Sequence, residues 1–254
     1  MTTRLLVLQP SEVNPPERLG DWLTTAGAEL ALCRPAIDGV PQSLQLVDGL
    51  VCMGGEMGAN DDADHPWLAD LRWLLADAVA RRLPVLGVCL GGQLLAAATG
   101  GTVRRGVHGP EAGTQLVAKR DIAAYDPLFA ELPLTPDVIQ FHHDEIYRLP
   151  PGAALLASSP RYSNQAFRVG VAGYGLQFHI ETTPATVLSW ARRDIGGAAV
   201  IRPGQLGLGH LEQVHADMEQ IWRPAVARFV ALAAGELAPA AGWPDRWALP
   251  LLGP

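Results

Sequence analysis

Apolar positions along the chain fall into short unbroken runs separated by longer stretches where they recur every three or four residues. Leu5–Leu8, Glu29–Cys33, Gly49–Met53 and Pro84–Val88 are runs of strand length. Between them, Glu17–Ala26 and Gly91–Thr99 read as helices. Trp67–Arg82 places Trp67, Leu68, Leu71, Leu74, Leu75, Ala78 and Val79 on one helical stripe. Strands alternating with helices of this length imply βαβ units and a mainly parallel sheet.

After Gly100 and Gly101 the spacing shortens. Thr114–Lys119, Val138–Phe141, Ala153–Ser158, Gln165–Val169 and Tyr174–Phe178 are close-set strands divided by Pro and Gly turns, which suggests a more antiparallel continuation of the same domain. Pro184–Arg192 is a helix with Thr183 as its cap and Pro at its first position. Ile195–Gly209, rich in Gly and Pro, reads as a loop, and Glu212–Leu232 as a long helix. The tail Gly235–Pro254, rich in Ala, Pro and Trp, is expected to pack irregularly. The pattern predicts an α/β protein: a three-layer α/β/α sandwich with the C-terminal helix and tail against it.

Composition narrows this picture by exclusion. A length of 254 residues is enough to bury a sizeable core. The net charge of −7 disfavours a nucleic-acid backbone as partner, because phosphate neutralisation needs a basic face. Three cysteines, Cys33, Cys52 and Cys89, make a poor disulfide framework and lack zinc spacing, so a reducing, cytoplasmic setting is expected. The apolar run Leu5–Leu8 is too short for a secretory h-region, and no run is long enough to span a membrane.

Chemistry concentrates at three places. In Pro84–Ala98, PVLGVCLGGQLLAAA, a strand runs into Cys89 and a helix follows, with Gly87 and Gly91 flanking at two residues on each side. This is the thiol form of a nucleophile elbow, where small neighbours allow a tight, strained turn. Backbone N–H groups at a helix N-terminus favour a thiolate. Cys33 and Cys52 have no such flanks and read as core. A thiol nucleophile needs a base, and the base an orienting partner. His179 and Glu181 end an apolar strand at a spacing that puts both on one face if the strand continues. Finally, the strand ending in Gly54 and Gly55 can turn backbone N–H groups towards a neighbouring site. The N–H groups of Gly55 and Leu90 are therefore candidates for stabilising an oxyanion.

Taken in order, MGG (53–55), GVCLGGQLLA (87–96), FHHDE (141–145), NQAFRV (164–169) and GLQFHIE (175–181) resemble class I glutamine amidotransferases. With GANDDADHPWL (58–68) added, the likeness is to stand-alone GMP-synthase-like members. The resemblance spans 1–195 and leaves 196–254 as a C-terminal helical extension. It implies a flavodoxin-like sandwich and a Cys-His-Glu triad of Cys89, His179 and Glu181. It further implies substrate contacts from Gln93, His142 and Asp144, with Gly54 and Phe141 lining the pocket. The substrate implied is glutamine or a γ-glutamyl compound, with no cofactor and no metal. Two departures concern the substrate more than the chemistry: Gly91-Gly92-Gln93 where many relatives have GHQ, and His179-Ile180-Glu181 where many have HPE. No SGGxDS phosphate loop occurs, and roughly 60 residues beyond the resemblance are too few for an ATP-dependent synthetase domain, so any synthetase is expected on a separate chain.

Other features carry less. Asp61, Asp62, Asp64 and His65 lack calcium-loop spacing and read as a solvated loop capping the Trp67 helix. His108, His210 and His215 default to surface or structural roles. The tryptophans read as packing residues, and the helix carrying Trp222 could also dock a partner. A γ-glutamyl hydrolase without ammonia transfer, or a redox-sensing protein on the same scaffold, are the competing functions. The second needs neither His179 with Glu181 nor Gln93.

Overall fold

The structure is a computed structural model and describes residues 2–240. From the N-terminus the chain forms β1 (Thr3–Leu8), α1 (Glu17–Thr25), β2 (Ala28–Cys33), α2 (Pro35–Asp38), β3 (Gly49–Cys52), α3 (Trp67–Ala80), β4 (Val85–Val88) and α4 (Leu90–Ala98). There follow β5 (Thr102–Arg105), β6 (Glu111–Leu116), β7 (Ala118–Lys119), a 3-10 turn at Asp121–Tyr125, β8 (Asp137–His142), β9 (Asp144–Arg148), β10 (Ala154–Ser158), β11 (Ala166–Val169) and β12 (Gly173–Leu176). The chain continues with α5 (Pro184–Arg193), α6 (Ile195–Ala198) and α7 (Leu208–Ala233).

The central sheet runs β2-β1-β3-β4-β12-β11-β10-β7. Its pairings are parallel from β2 to β12 and antiparallel from β12 to β7. Two-stranded antiparallel ribbons β5-β9 and β6-β8 stand beside it. The period-two alternation of β1 shows why its apolar run is continuous. Leu5 and Val7 join a core under α1 and α7, whereas Leu6 and Leu8 join a second core under α3 and α4. The sheet is thus covered on both faces, and the result is a three-layer sandwich.

Several expectations need correction. Thr114–Lys119 is not one strand: β6 pairs with β8, whereas β7 joins the central sheet. β12 ends at Leu176, so the strand does not run on through His179 and Glu181. Ile195–Gly209 contains the turn of helix α6. By contrast, the Trp222 side chain itself is core packing, as the sequence reading of the tryptophans expects. It is buried at 2% exposure, packs on Phe129 and Phe178, and donates its indole N–H to the Asp137 carbonyl at 2.9 Å. Of the tail Gly235–Pro254, residues from 241 onward lie outside the described residues. No described helix is long and apolar enough to cross a membrane.

Candidate active site

The elbow forms because the backbone there leaves no room for side chains. Cys89 sits at φ 51°, ψ −107°, between β4 and α4. A side chain on Gly87 would strike the Gly91 carbonyl, and one on Gly91 would strike the Cys52 carbonyl of β3. A Cβ on Gly92 would come within 2.6 Å of the Leu176 carbonyl. That same carbonyl accepts the Cys89 N–H at 2.8 Å. The glycines are therefore dictated by a helix start pressed against two neighbouring strands. A non-glycine residue held at positive φ in such a turn stores strain of about 1–3 kcal/mol. As the first residue of α4, Leu90 has no intrahelical acceptor for its N–H. A Cβ on Gly55 would lie 2.6 Å from Leu90 Cδ2, which places the Gly-Gly turn after β3 against this helix start.

The His179 segment reaches the same place by another route. His179 exchanges two backbone hydrogen bonds with Ile139 of β8, at 2.8 and 3.2 Å. Its Nδ1 lies 2.7 Å from Glu181 Oε1, and Glu181 Oε2 accepts the Ile180 N–H at 2.9 Å. The two side chains meet although no regular strand joins them. Both are 1% exposed. His179 Nε2 is buried and makes no hydrogen bond. Burial would lower the pKa of this imidazole, but the Glu181 carboxylate and then the Cys89 sulfur reverse this and push it up to about 10. Burial pushes Cys52 up to about 12 and also raises Cys33, whose Sγ–H donates to the Gly39 carbonyl.

A cleft of about 580 Å³ opens over these groups. Cys89, His179, Gly55, Gln93, Phe141, His142 and Asp144 line it, whereas Gly54, Leu90 and Glu181 are buried behind its surface. A Cβ on Gly54 would meet His179 Cε1 at 3.3 Å, so the Gly-Gly turn touches the imidazole as well as the helix start. Gln93 Nε2 is engaged by Gln177 Oε1 at 3.3 Å and by the Asp144 carbonyl at 3.4 Å. Neither ring nitrogen of His142 is left for a ligand: Nδ1 donates to the Asp144 carbonyl at 2.8 Å and Nε2 faces Glu111 at 3.2 Å.

Several contributors were not evident from the sequence. Gln177 Nε2 lies 4.0 Å from the Cys89 sulfur. Trp190 of α5 packs at a tilt against His179, with ring centroids 4.6 Å apart, and against Phe141 at 5.6 Å. At the mouth His143 bridges Arg105, at 2.8 Å, and Asp194, at 2.5 Å. Partial burial acts to raise the Asp194 pKa, but the Gly197 N–H and His143 outweigh it and hold this carboxyl below its ordinary value. Trp190 is an apolar position of the helix predicted at Pro184–Arg192, and His143 and Gln177 stand within the FHHDE and GLQFHIE segments, but no sequence feature pointed to Arg105 or Asp194. The acidic loop is committed to the protein: Asp61 accepts the Gly58 N–H at 2.6 Å, and Asp62 takes Arg72 in a fork at 2.7 and 2.9 Å.

A thiol at a helix start, a base with one nitrogen fixed and one free, and a nearby turn of backbone donors can together perform nucleophilic acyl transfer. Comparisons with known proteins point the same way. The family model for glutamine amidotransferase class-I matches residues 35–187. Gamma-glutamyl peptidase 4 of Arabidopsis thaliana is 32% identical over 130 residues, covering 50% of this chain and 51% of the relative. A glutamine-hydrolyzing GMP synthase subunit from Thermococcus kodakarensis is 38% identical over 100 residues, 39% of this chain and 51% of the relative. The chain thus spans about half the length of these curated relatives. A solved glutamine amidotransferase from Thermotoga maritima superposes with a TM-score of 0.80 at 28% identity, covering 91% of this chain and 99% of that one.

Proposed function

Because this chain belongs to the class-I glutamine amidotransferase family, we propose that it is a cysteine amidohydrolase that opens the side-chain amide of glutamine or of a γ-glutamyl compound. The observation that carries this reading is Cys89 on a strained elbow beside His179, whose Nδ1 is fixed by Glu181 at 2.7 Å while its buried Nε2 has no partner. The Cys89 thiol proton passes to His179 Nε2, and Cys89 Sγ adds to the amide carbon. The carbonyl oxygen takes the negative charge and is held by the N–H groups of Gly55 and Leu90. The C–N bond then breaks, and the leaving amine takes its proton from His179. Water, deprotonated by His179, cleaves the γ-glutamyl thioester to glutamate and restores the thiol. Glu181 keeps the imidazole in orientation and stabilises its charged form.

Residues 1–195 carry this chemistry in our reading, with 196–254 as an extension. Gly54, Gln93, Phe141, His142 and Asp144 shape the substrate end of the cleft. Three free thiols suit the cytoplasm. The relative named for GMP synthase supports ammonia transfer to a separate synthetase chain, and the one named a γ-glutamyl peptidase supports hydrolysis without transfer. Glutamate and amine release should be measured from glutamine and from a γ-glutamyl peptide, with wild type and Cys89→Ala. Release from at least one substrate, abolished in the variant, is the expected result. Equal release by a folded variant, or none by the wild type, would exclude the reading.

A further inference from the structure

The segment bearing His179 and Glu181 is held by helices more than by the sheet. β12 ends at Leu176, and past it His179 makes only its single bridge to Ile139. Glu181 lies beyond that bridge. Its carbonyl accepts the Arg18 N–H of α1 at 3.1 Å, and two residues on the Thr183 N–H reaches the Glu17 carboxylate at 3.1 Å. Between these points stands Thr182, fully buried, with its hydroxyl 3.0 Å from Nε2 of His215 on α7.

The proton positions in this contact follow from its partners. His215 Nδ1 lies 2.7 Å from the Leu211 carbonyl, which can only accept, so Nδ1 carries the proton. Nε2 is left to accept the Thr182 O–H. This is the neutral imidazole, and its surroundings favour that state. Burial holds its pKa below the ordinary value. The Leu211 carbonyl opposes this, Arg18 of α1 adds to it, and the Glu181 charge opposes it again. Arg18 also ties the helix down, donating to the His215 carbonyl at 2.8 Å and to Glu219 at 2.6 Å.

We propose that His215 is a positioning residue for Glu181, acting through Thr182, so that the C-terminal helix sets the carboxylate that orients His179. The inference rests on the triad reading given above. Without this contact Thr182, the residue following Glu181, loses its buried side-chain hydrogen bond to α7, and a displacement near 1 Å in such a constellation costs on the order of 100-fold in rate.

The test compares His215→Asn and Thr182→Val, which break the contact, with His215→Gln and Thr182→Ser, which can restore it. An Asn amide can still donate to the Leu211 carbonyl but does not reach Thr182, whereas a Gln amide oxygen does. The breaking variants should lose about 10- to 100-fold in kcat, with KM within about twofold. The basic limb of their kcat/KM profile should move down from about 10 towards 6.5 as His179 loses its partner. The restoring variants should recover most of the rate and the limb. A His215→Asn or Thr182→Val protein that unfolds like wild type and keeps both kcat and limb overturns the inference. So does a rate loss that tracks stability alone and is not rescued. Labelling of Cys89 by a glutamine-analogue chloroketone separates the two levels. No labelling of wild type removes the triad reading. Normal labelling of wild type with an unchanged limb in the breaking variants removes only the role of His215.

Discussion

Replacing Cys89 by Gly and by Ala should reverse the usual order of stability of those two residues. Cys89 is buried, at 6% exposure, with φ 51° and ψ −107°. At an ordinary buried site Gly is less stable than Ala by about 0.5–1 kcal/mol of chain entropy, and by about 0.8 kcal/mol for the lost methyl. Ala would therefore lead by about 1.5 kcal/mol. At this elbow the Ala Cβ keeps the backbone strain, about 1–3 kcal/mol, which Gly releases. Taking the middle of each range, Gly should exceed Ala by about 0.5 kcal/mol. Neither variant has a nucleophile, so activity does not intrude. Urea and thermal unfolding of the pair are the assay, with about 2–4 °C of Tm for each kcal/mol in a chain of this size. An Ala variant more stable than Gly by about 1 kcal/mol or more would put the strain at Cys89 below about 1 kcal/mol and refute the reading of the elbow as a strained turn.

Gly91→Ala drives a methyl into the Cys52 carbonyl and should cost about 3 kcal/mol or more, seen as a lower urea midpoint. Trp222→Ala removes the side chain packed on Phe129 and Phe178 and should cost about 3–5 kcal/mol by the same measurement. His179 has its pKa raised above 6.5 to about 10, so its contribution to stability is complete below 6.5 and is lost as pH rises through about 10. The same deprotonation removes the acid for the leaving amine, so kcat/KM should fall at that upper limb. In Glu181→Gln the limb should drop towards 6.5, which a pH-rate profile reads directly.

Where local sequence dictates local geometry, the site was legible. Gly87, Gly91 and Gly92 are each required by a carbonyl within touching distance, so the elbow is written in consecutive residues. Thr183 accepts the Thr186 N–H as the predicted cap. The core strands were legible because both faces are covered, which makes their apolar runs continuous. Legibility ended where contacts join distant segments. His143 meets Asp194 across 51 positions, and Gln177 meets Gln93 across 84. The spacing of His179 and Glu181 suggested a strand, yet one bridge to Ile139 and contacts from two helices hold them. The long C-terminal helix looked like an appendage. Its His215 reaches the residue next to Glu181, a contact no periodicity announces.

The central claim is that Cys89 carries the acyl group. Acid quenching during turnover of glutamine or a γ-glutamyl peptide, followed by peptide mass spectrometry, tests it most directly. The account predicts a γ-glutamyl thioester on the peptide bearing Cys89, with none on Cys33 or Cys52 and none in Cys89→Ala. An adduct on another residue, or steady amide hydrolysis by Cys89→Ala, would contradict it.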